Sequence, residues 1–373
     1  MINHRLMELN FSQIVNVWKQ SQHNQYSNIK KKEYHKKLGV LFDRLKGVDF
    51  NALSEIERKE YYSIMEFFSL SLEYLKNSTM NTVPYELIYC LRCALDEWVR
   101  DSERYIIVTS YGDYCFSGYL SLSKVVYGIM KTKLGIDFED KLIQICLPQG
   151  MERDYLCNTV LYHELGHFVD MTIGLSQIII IDLKKHYAEP EVKEFFPYLD
   201  DSSISDNNKD TLVFNHLQEY FADLFASLYI GKSVYYYLDY IANEAKRSYS
   251  HPATSDRIKL VDLFLADPNS NILFKIINHY TTRIFKQELK PKNQAIDSPQ
   301  DFYDLIPCEI TNKSQLHTIF LCAWDIWMNN TNEFESANRM NFTLKPSQKY
   351  EIVNNLIEKS INNFIVKEKW TRA

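Results

Sequence analysis

The residues best suited to chemistry are His163, Glu164 and His167, which form the sequence His-Glu-x-x-His. The surrounding pattern predicts an amphipathic helix from about Asp154 to Asp170. Two residues four positions apart on a helix point the same way, so both imidazoles could bind one zinc ion. Glu164 would then face a water molecule on that ion. The opposite face of the helix carries apolar side chains, namely Leu161, Leu165, Phe168 and Val169.

Gly166 lies inside this predicted helix, where it costs about 1 kcal/mol relative to alanine. Such a glycine is typical of a place where another backbone or a substrate comes close. The motif by itself also fits two buried histidines that are satisfied by hydrogen bonds. A third ligand is therefore needed, because catalytic zinc usually has three protein ligands and one open position.

The best candidate for the third ligand is Glu219, in a second predicted helix over residues 214–226. Glu219 and Asp223 lie one turn apart on its polar side. Glu219 could bind zinc, and Asp223 could accept a hydrogen bond from a ligand histidine, which would orient that imidazole. Ala222 and Ala226 lie beside the polar side and would let two helices approach closely. An apolar stripe fills the other face: Leu217, Phe221, Leu224, Phe225 and Leu228.

Three other side chains are also candidate ligands from the sequence. His216 is the main rival to Glu219, because it lies three residues earlier on the same face. Asp170 and His186 are weaker rivals near the first motif. An isolated acidic residue on a helix is usually solvated, so the assignment of Glu219 depends on its alignment with Asp223.

The order of these motifs resembles that of the gluzincin metallopeptidases. The segment from His163 to His167, followed by Glu219-x-x-x-Asp223, looks like the gluzincin ligand pattern. The segment Ser250–Leu260 is similar to a His-Pro…Arg-Ile segment in the family of the heat-shock protease HtpX and the CAAX prenyl proteases. The resemblance covers about residues 155–260. The chain departs from that family in having no predicted membrane span and in being long at both ends.

The resemblance implies a zincin-like core in which zinc is bound by two histidines and a glutamate: His163, His167 and Glu219. It implies that Glu164 is the general base. It also implies that His251 and Arg257 lie near the site, where they support the transition state or the metal ligands.

Composition is that of a soluble globular protein of 373 residues, with 46% hydrophobic and 24% charged residues. The net charge of −6 argues against nucleic acid as the main partner. The longest uncharged stretch near the site, Met171–Ile181, is too short to cross a bilayer, which takes about 20 residues. We expect it to be a buried strand or helix.

The seven cysteines are an odd number, and no secretory signal is recognisable at the N-terminus. These features favour free thiols and a cytoplasmic location. Cys90 and Cys93 have Cys-x-x-Cys spacing but no second pair accompanies them, so we predict buried thiols on a core helix.

Glycine and proline are scarce, at ten each, which favours helices. The segments 105–110 and 141–147 are rich in β-forming residues, and 114–116 is predicted to return beside the first of them. We therefore predict an α+β fold that is predominantly helical with a small sheet. The predicted regions are an N-terminal helical region (1–80), a metallopeptidase core (81–268) and a C-terminal helical region (269–373).

Two segments have alternative interpretations. Leu142–Leu147 is a candidate cleft-edge strand that would pair with an extended peptide, and an interior strand is the equal alternative. Residues 187–212 are predicted to be a loop, either a passive surface loop or a lid over the cleft.

These patterns together predict a soluble zinc endopeptidase acting on a protein or peptide substrate. His251, Arg257 or a tyrosine such as Tyr220 would stabilise the oxyanion. One alternative is a regulatory protein whose helical ends bind a partner protein and whose zinc site is vestigial or structural. Another is zinc-dependent hydrolysis of a non-peptide amide.

Overall fold

The computed structural model describes residues 3–26, 28–76, 78, 84–117, 120–138, 140–329, 332 and 344–371, of which 116, 117 and 120–124 are described by their backbone only. The helices are α1 (His4–Ser21), α2 (Ile29–Lys46), α3 (Glu55–Lys76), α4 (Tyr85–Trp98), α5 (Leu120–Leu134), α6 (Leu161–Ile173), α7 (Leu175–Leu183), α8 (Pro190–Phe195), α9 (Asp206–Ile230), α10 (Ser233–Ile241), α11 (Thr254–Ala266), α12 (Ile272–Phe285), α13 (Gln300–Tyr303), α14 (Lys313–Met328) and α15 (Pro346–Thr371). The strands are β1 (Tyr105–Tyr111), β2 (Cys115–Ser117) and β3 (Lys141–Leu147). The predicted α+β class, predominantly helical with a small sheet, is confirmed.

The chain divides into two compact units. The first unit contains residues 1–84 and 101–152, and the second contains residues 85–100 and 153–373. The predicted regions 1–80, 81–268 and 269–373 do not coincide with these units. The metal motif lies wholly in the second unit.

The first unit packs α1–α3 and α5 with the sheet around an aromatic core. Phe42 and Trp18 stack with their ring centroids 5.5 Å apart, and Phe42 also stacks on Phe11. Helix α3 begins with a capping box, in which Ser54 and Glu57 each bond the other's backbone N–H through their side chains.

The sheet has the order β1-β3-β2. Strand β3 runs parallel to β1 from the pair Tyr105–Lys141 to the pair Tyr111–Leu147, and antiparallel to β2. The prediction of Leu142–Leu147 as an edge strand is therefore wrong, and the interior alternative is right. The predicted pairing of 114–116 with the first strand is also wrong, because β3 takes the central place between them.

The prediction of a loop over residues 187–212 is wrong for most of its length. Pro190 and Pro197 each stand in the first turn of a short helical segment, where the missing proline N–H costs nothing. Val192, Phe195 and Phe196 are buried, and α9 already begins at Asp206. The segment is therefore mostly helical and partly buried rather than a loop.

The uncharged stretch 171–181 spans the end of α6, a turn at Gly174 and most of α7. Leu175 and Ile179 are buried as predicted, whereas Met171 and Ile181 are exposed. Among the described residues, no single helix is long and apolar enough to cross a membrane. The segments 157–173 and 175–186 meet that criterion only when joined, and they are bent by 79° where they meet.

Candidate metal centre

Helix α6 presents the two histidines of the motif on one face. The rings of His163 and His167 lie 4.5 Å apart between centroids, nearly perpendicular to each other. The apolar face is fully buried as predicted, with Leu161, Leu165, Phe168 and Val169 all inaccessible. The helix ends at Gly174, whose φ of +66° is left-handed and therefore favours glycine. The core thus fixes α6 by one face and leaves the other free for ligands.

Helix α9 carries the two carboxylates predicted to act with the histidines. Glu219 and Asp223 are both buried, at 8% and 0% exposure. Buried carboxylates need charged or hydrogen-bonding partners, so their partners decide what the site can do.

Gly166 is the point where α6 meets α9. A Cβ atom built on Gly166 would lie 2.8 Å from the Ala222 Cα, closer than side chains tolerate. The predicted close approach at Gly166 is therefore real, and the approaching group is the backbone of α9. The two small residues allow the ligand-bearing helices to come together.

This crossing brings His163, His167 and Glu219 into one cluster, whose ligand atoms all lie within 4.8 Å of one another. His163 Nε2 lies 3.5 Å from Glu219 Oε2, and His167 Nε2 lies 3.3 Å from Glu219 Oε1. Atoms bound about 2.0–2.1 Å from a tetrahedral metal ion lie about 3.3 Å from one another. The donor set and its spacing therefore fit a divalent metal ion that accepts imidazole and carboxylate ligands.

Asp223 holds His163 in the orientation that a metal requires. His163 Nδ1 lies 2.9 Å from Asp223 Oδ1, and Nδ1–H donates to that oxygen. This bond fixes the tautomer and turns Nε2 towards Glu219. The predicted partnership between Asp223 and a ligand histidine agrees with this contact.

Arg257 binds Asp223 from the other side. Its Nε donates to Asp223 Oδ2 at 2.7 Å and its Nη2 to Asp223 Oδ1 at 2.8 Å. Nη2 also lies 3.4 Å from Glu219 Oε2. Arg257 is only 5% exposed, so its charge balances the two buried carboxylates.

The charged groups of the site shift one another's pKa values strongly. Burial lowers the pKa of His163, but the bonds to Asp223 and Glu219 outweigh burial and raise it to about 9. Burial raises the pKa of Glu219, yet both histidines together hold it well below its usual range. Against the effect of burial, Arg257 keeps the pKa of Asp223 below its usual value. Both carboxylates are therefore ionised at neutral pH and ready to act as acceptors or ligands.

The remaining residues of the motifs lie at the rim of this cluster. Glu164 is half-buried on α6, next to His163. His251 is exposed, with Nε2 3.5 Å from Glu219 Oε1 and Nδ1 2.7 Å from Ser250 Oγ. The structure thus brings all seven predicted site residues into one region, with Arg257 bonded to Asp223.

The rival ligands have other partners. His216 uses both ring nitrogens, with Nδ1 3.2 Å from the Tyr198 hydroxyl and Nε2 2.9 Å from the Ser248 carbonyl oxygen. Asp170 accepts from the Ser176 N–H at 2.6 Å. None of the three rivals joins the cluster found in the described part of the chain: His216, Asp170 and His186.

Two aromatic residues near His163 could not be assigned to the site from sequence. The buried Tyr237 packs against the His163 ring, with centroids 6.3 Å apart. Tyr162 bonds His317 Nδ1 at 2.7 Å behind α6. Tyr220, the tyrosine named from sequence as an oxyanion donor, donates instead to the Phe195 carbonyl oxygen at 3.0 Å. The helical period places Tyr237 inward, but nothing in the sequence shows that it meets α6.

No protein-family model, curated protein or solved structure matches this chain. The gluzincin resemblance therefore depends on the motifs and on the geometry of the cluster itself.

Proposed function

We propose that this chain is a zinc-dependent endopeptidase of the gluzincin type, with a zincin-like core. The main support for this proposal is that His163, His167 and Glu219 lie in one cluster, with Glu164 next to His163 on the same helix. A metal cluster with a carboxylate next to it on the same helix supplies the two groups that hydrolysis needs, an electrophile and a base.

His163, His167 and Glu219 would hold the ion. Zinc bound there would polarise the substrate carbonyl group and lower the pKa of a coordinated water to about 7. Asp223 and Arg257 would keep the ligands in place, since Asp223 bonds His163 Nδ1 and Arg257 bonds Asp223.

Glu164 would move the proton. Its carboxylate accepts a proton from the attacking water and delivers it to the nitrogen of the leaving amine. His251 is exposed beside Glu219, which suits a residue that contacts the substrate. Neither role requires a further cofactor.

Peptide bonds are the substrate class that the gluzincin pattern favours. The substrate would be a segment of a protein. A non-peptide amide and a partner-binding protein without turnover are the competing outcomes of the experiment below.

The test compares wild type with Glu164→Gln, both loaded with zinc, on a mixture of peptides derived from a proteome. We expect new peptide termini with wild type and at least a ~100-fold lower rate with the variant, because the base is lost while the ligands stay. Both proteins should hold equal zinc. Full turnover by Glu164→Gln would contradict the assignment of Glu164. Zinc binding without peptide turnover in wild type would contradict the peptidase proposal and favour a non-peptide amide substrate or a partner-binding protein.

A further inference from the structure

Two cysteines of the first unit face each other across neighbouring strands. Cys115 lies in β2 and Cys146 in β3, and the two residues are direct partners in the antiparallel pairing of these strands. Opposite residues of an antiparallel pair point to the same face of the sheet. The side chains of Cys115 and Cys146 therefore lie side by side on one face, although they are distant in sequence.

The spacing of such a pair suits a disulfide bond. Opposite Cα atoms in an antiparallel ladder lie about 4.5 or 5.5 Å apart, depending on whether the pair exchanges hydrogen bonds. Disulfide-bonded cysteines have Cα atoms about 4.4–6.8 Å apart, so both kinds of pair fall within the range. Strand β2 is short and lies at the edge of the order β1-β3-β2. It can therefore make the small shift that closes the bond without disturbing a second neighbour.

Both thiols are accessible to a small reagent. Cys115 and Cys146 are each partly exposed. The exposed Gly112, between β1 and β2, lies beside Cys146, since a Cβ atom built on this glycine would be 4.0 Å from the Cys146 Cβ. Because glycine has no side chain, this position leaves room next to the thiol.

The other five cysteines are less suited to oxidation. Cys90, Cys93 and Cys308 are buried. Burial raises the pKa of Cys93 to about 11 and that of Cys308 to about 12. Burial likewise raises the pKa of Cys157 and of Cys322 to about 11. The thiolate is the form that attacks a disulfide, so cysteines held as protonated thiols at neutral pH react slowly.

We propose that Cys115 and Cys146 form a redox-active dithiol, which closes to a disulfide bond between β2 and β3 in the presence of a small disulfide such as oxidised glutathione. One cysteine thiolate attacks the S–S bond of oxidised glutathione, which leaves a mixed disulfide and releases one glutathione thiolate. The second cysteine attacks the protein sulfur of that mixed disulfide and releases the other glutathione. Two protein thiols are thereby oxidised, oxidised glutathione is reduced to two thiols, and the two protons pass from the cysteines to the released thiolates.

The bond would join the ends of segment 115–146, which contains α5, into a covalent loop. A link of this kind stabilises the folded chain mainly by restricting the unfolded one. It would also hold the edge strand against β3. Disulfides inside cells are usually transient and sense redox conditions, which suits an exposed pair on an edge strand. The inference is independent of the zinc proposal, because His163, His167 and Glu219 all belong to the second unit.

The test exposes the folded protein to an excess of oxidised glutathione, alkylates the remaining thiols and maps the peptides by mass spectrometry. We expect a link between the peptides that contain Cys115 and Cys146, and alkylation of the other five cysteines. Before alkylation, the intact mass should fall by about two hydrogen atoms, and dithiothreitol should restore it.

Single variants isolate the two steps. Cys115→Ser and Cys146→Ser should each stop at the mixed disulfide, with one glutathione on the cysteine that remains, because the second thiol is missing. The matched control is Cys322→Ser, which removes a partly exposed thiol from α14 and should leave the rate of linkage at the wild-type value.

Hydrogen exchange reports the effect of the bond on the sheet. Exchange of the amides in β2 and β3 should be about 10-fold slower in the oxidised protein, because the edge strand opens less often. Helices α1–α3 serve as the internal reference.

Three outcomes would overturn the inference. In the first, folded wild type keeps both cysteines as thiols. In the second, it carries glutathione on Cys115 or Cys146 without a bond between them. In the third, the link forms as readily in denaturant as in the folded chain, since the strand pairing would then not be what brings the two cysteines together.

Discussion

The two ring nitrogens of His163 contact different carboxylates. Nδ1 donates to Asp223, and Nε2 faces Glu219. Asp223 in turn receives two bonds from Arg257. The position of His163, a proposed metal ligand, therefore depends on a buried ion pair outside the proposed ligand set.

Replacing Asp223 by Asn should weaken zinc binding about 10–100-fold, because the histidine loses its carboxylate partner. It should also lower the free energy of unfolding, by at most about 3–5 kcal/mol, because buried Arg257 loses the closer of its two carboxylate partners and keeps only Glu219, 3.4 Å away. Competition with a chelator measures the first effect, and denaturant unfolding measures the second.

Asp256→Asn is the matched control. Asp256 also pairs with an arginine, Arg247, but both side chains of that pair are partly exposed. Its loss should cost at most about 1 kcal/mol and leave zinc affinity unchanged. If the two variants bound zinc equally well, Asp223 would have no part in holding His163.

Metal-free protein should lose stability as the pH rises through the titration of His163. Its pKa is raised from 6.5 to about 9 in the folded chain. The stabilisation by protonated His163 is therefore fully present below about pH 6.5 and lost as the pH passes about 9. Glu219 and Asp223 stay ionised over this range, so they add no slope.

Thermal unfolding of the metal-free protein between pH 6 and 10 measures this effect. His163→Asn, which cannot titrate there, should give a flatter profile. Zinc binding near neutral pH should also release a proton from His163, because a ligand imidazole must be neutral. Parallel profiles for the two proteins would show that His163 is not protonated in the metal-free fold.

At the scale of elements, the crossing of α6 and α9 sets the distance between the ligands. Gly166→Ala would place a Cβ atom 2.8 Å from the Ala222 Cα, so the helices must separate. We expect a loss of about 1–3 kcal/mol in stability. We also expect weaker zinc binding, since the histidines and Glu219 move apart.

Gly128→Ala provides the comparison for that change. Gly128 lies within α5, and a Cβ atom there would meet nothing within 4 Å. Alanine at that exposed helical site should stabilise by about 1 kcal/mol through helix propensity. Similar effects of the two substitutions would mean that the α6–α9 contact is not tight.

The sequence predicted the parts of the site that depend on local helical spacing. The His163–His167 pair, the Glu219–Asp223 pair and the apolar faces behind them all follow from a period of 3.6 residues. The choice between Glu219 and His216 could not be made in this way. That choice depends on Tyr198 and Ser248. They are distant from His216 in sequence, and they hydrogen-bond its two ring nitrogens in the fold.

The order of strands was also beyond local reasoning. Strand β3 takes the central position through contacts with two strands at different distances along the chain. Residues 187–212 were predicted to be a loop, although Pro190 and Pro197 each open a helical turn. A proline at a helix start and a proline in a loop look alike in sequence.

At the scale of the molecule, all residues of the metal cluster belong to the second unit. Helix α4 joins this unit through distant partners, since Trp98 Nε1 donates to the Tyr229 hydroxyl and the Tyr155 hydroxyl donates to Glu86. Such contacts explain why a division read from the sequence, with boundaries at 80 and 268, differs from the two compact units.

Zinc should stabilise the chain by binding the folded state, by about 4 kcal/mol at a free concentration 1,000 times the Kd. Hydrogen exchange should show the strongest protection in α6, α9 and α11, which carry the cluster and Arg257. Helices α1–α3 carry no site residue and serve as the internal reference. Protection by zinc that is no greater in α6 and α9 than in α1–α3 would contradict binding at the proposed ligands.

The most direct test of the account is the zinc content of the purified protein beside Glu219→Ala and His216→Ala. We predict about one zinc ion per chain in wild type and in His216→Ala, and little or none in Glu219→Ala. Zinc retained by Glu219→Ala, or no zinc in wild type even after zinc is added back, would contradict the three-ligand centre on which the account depends.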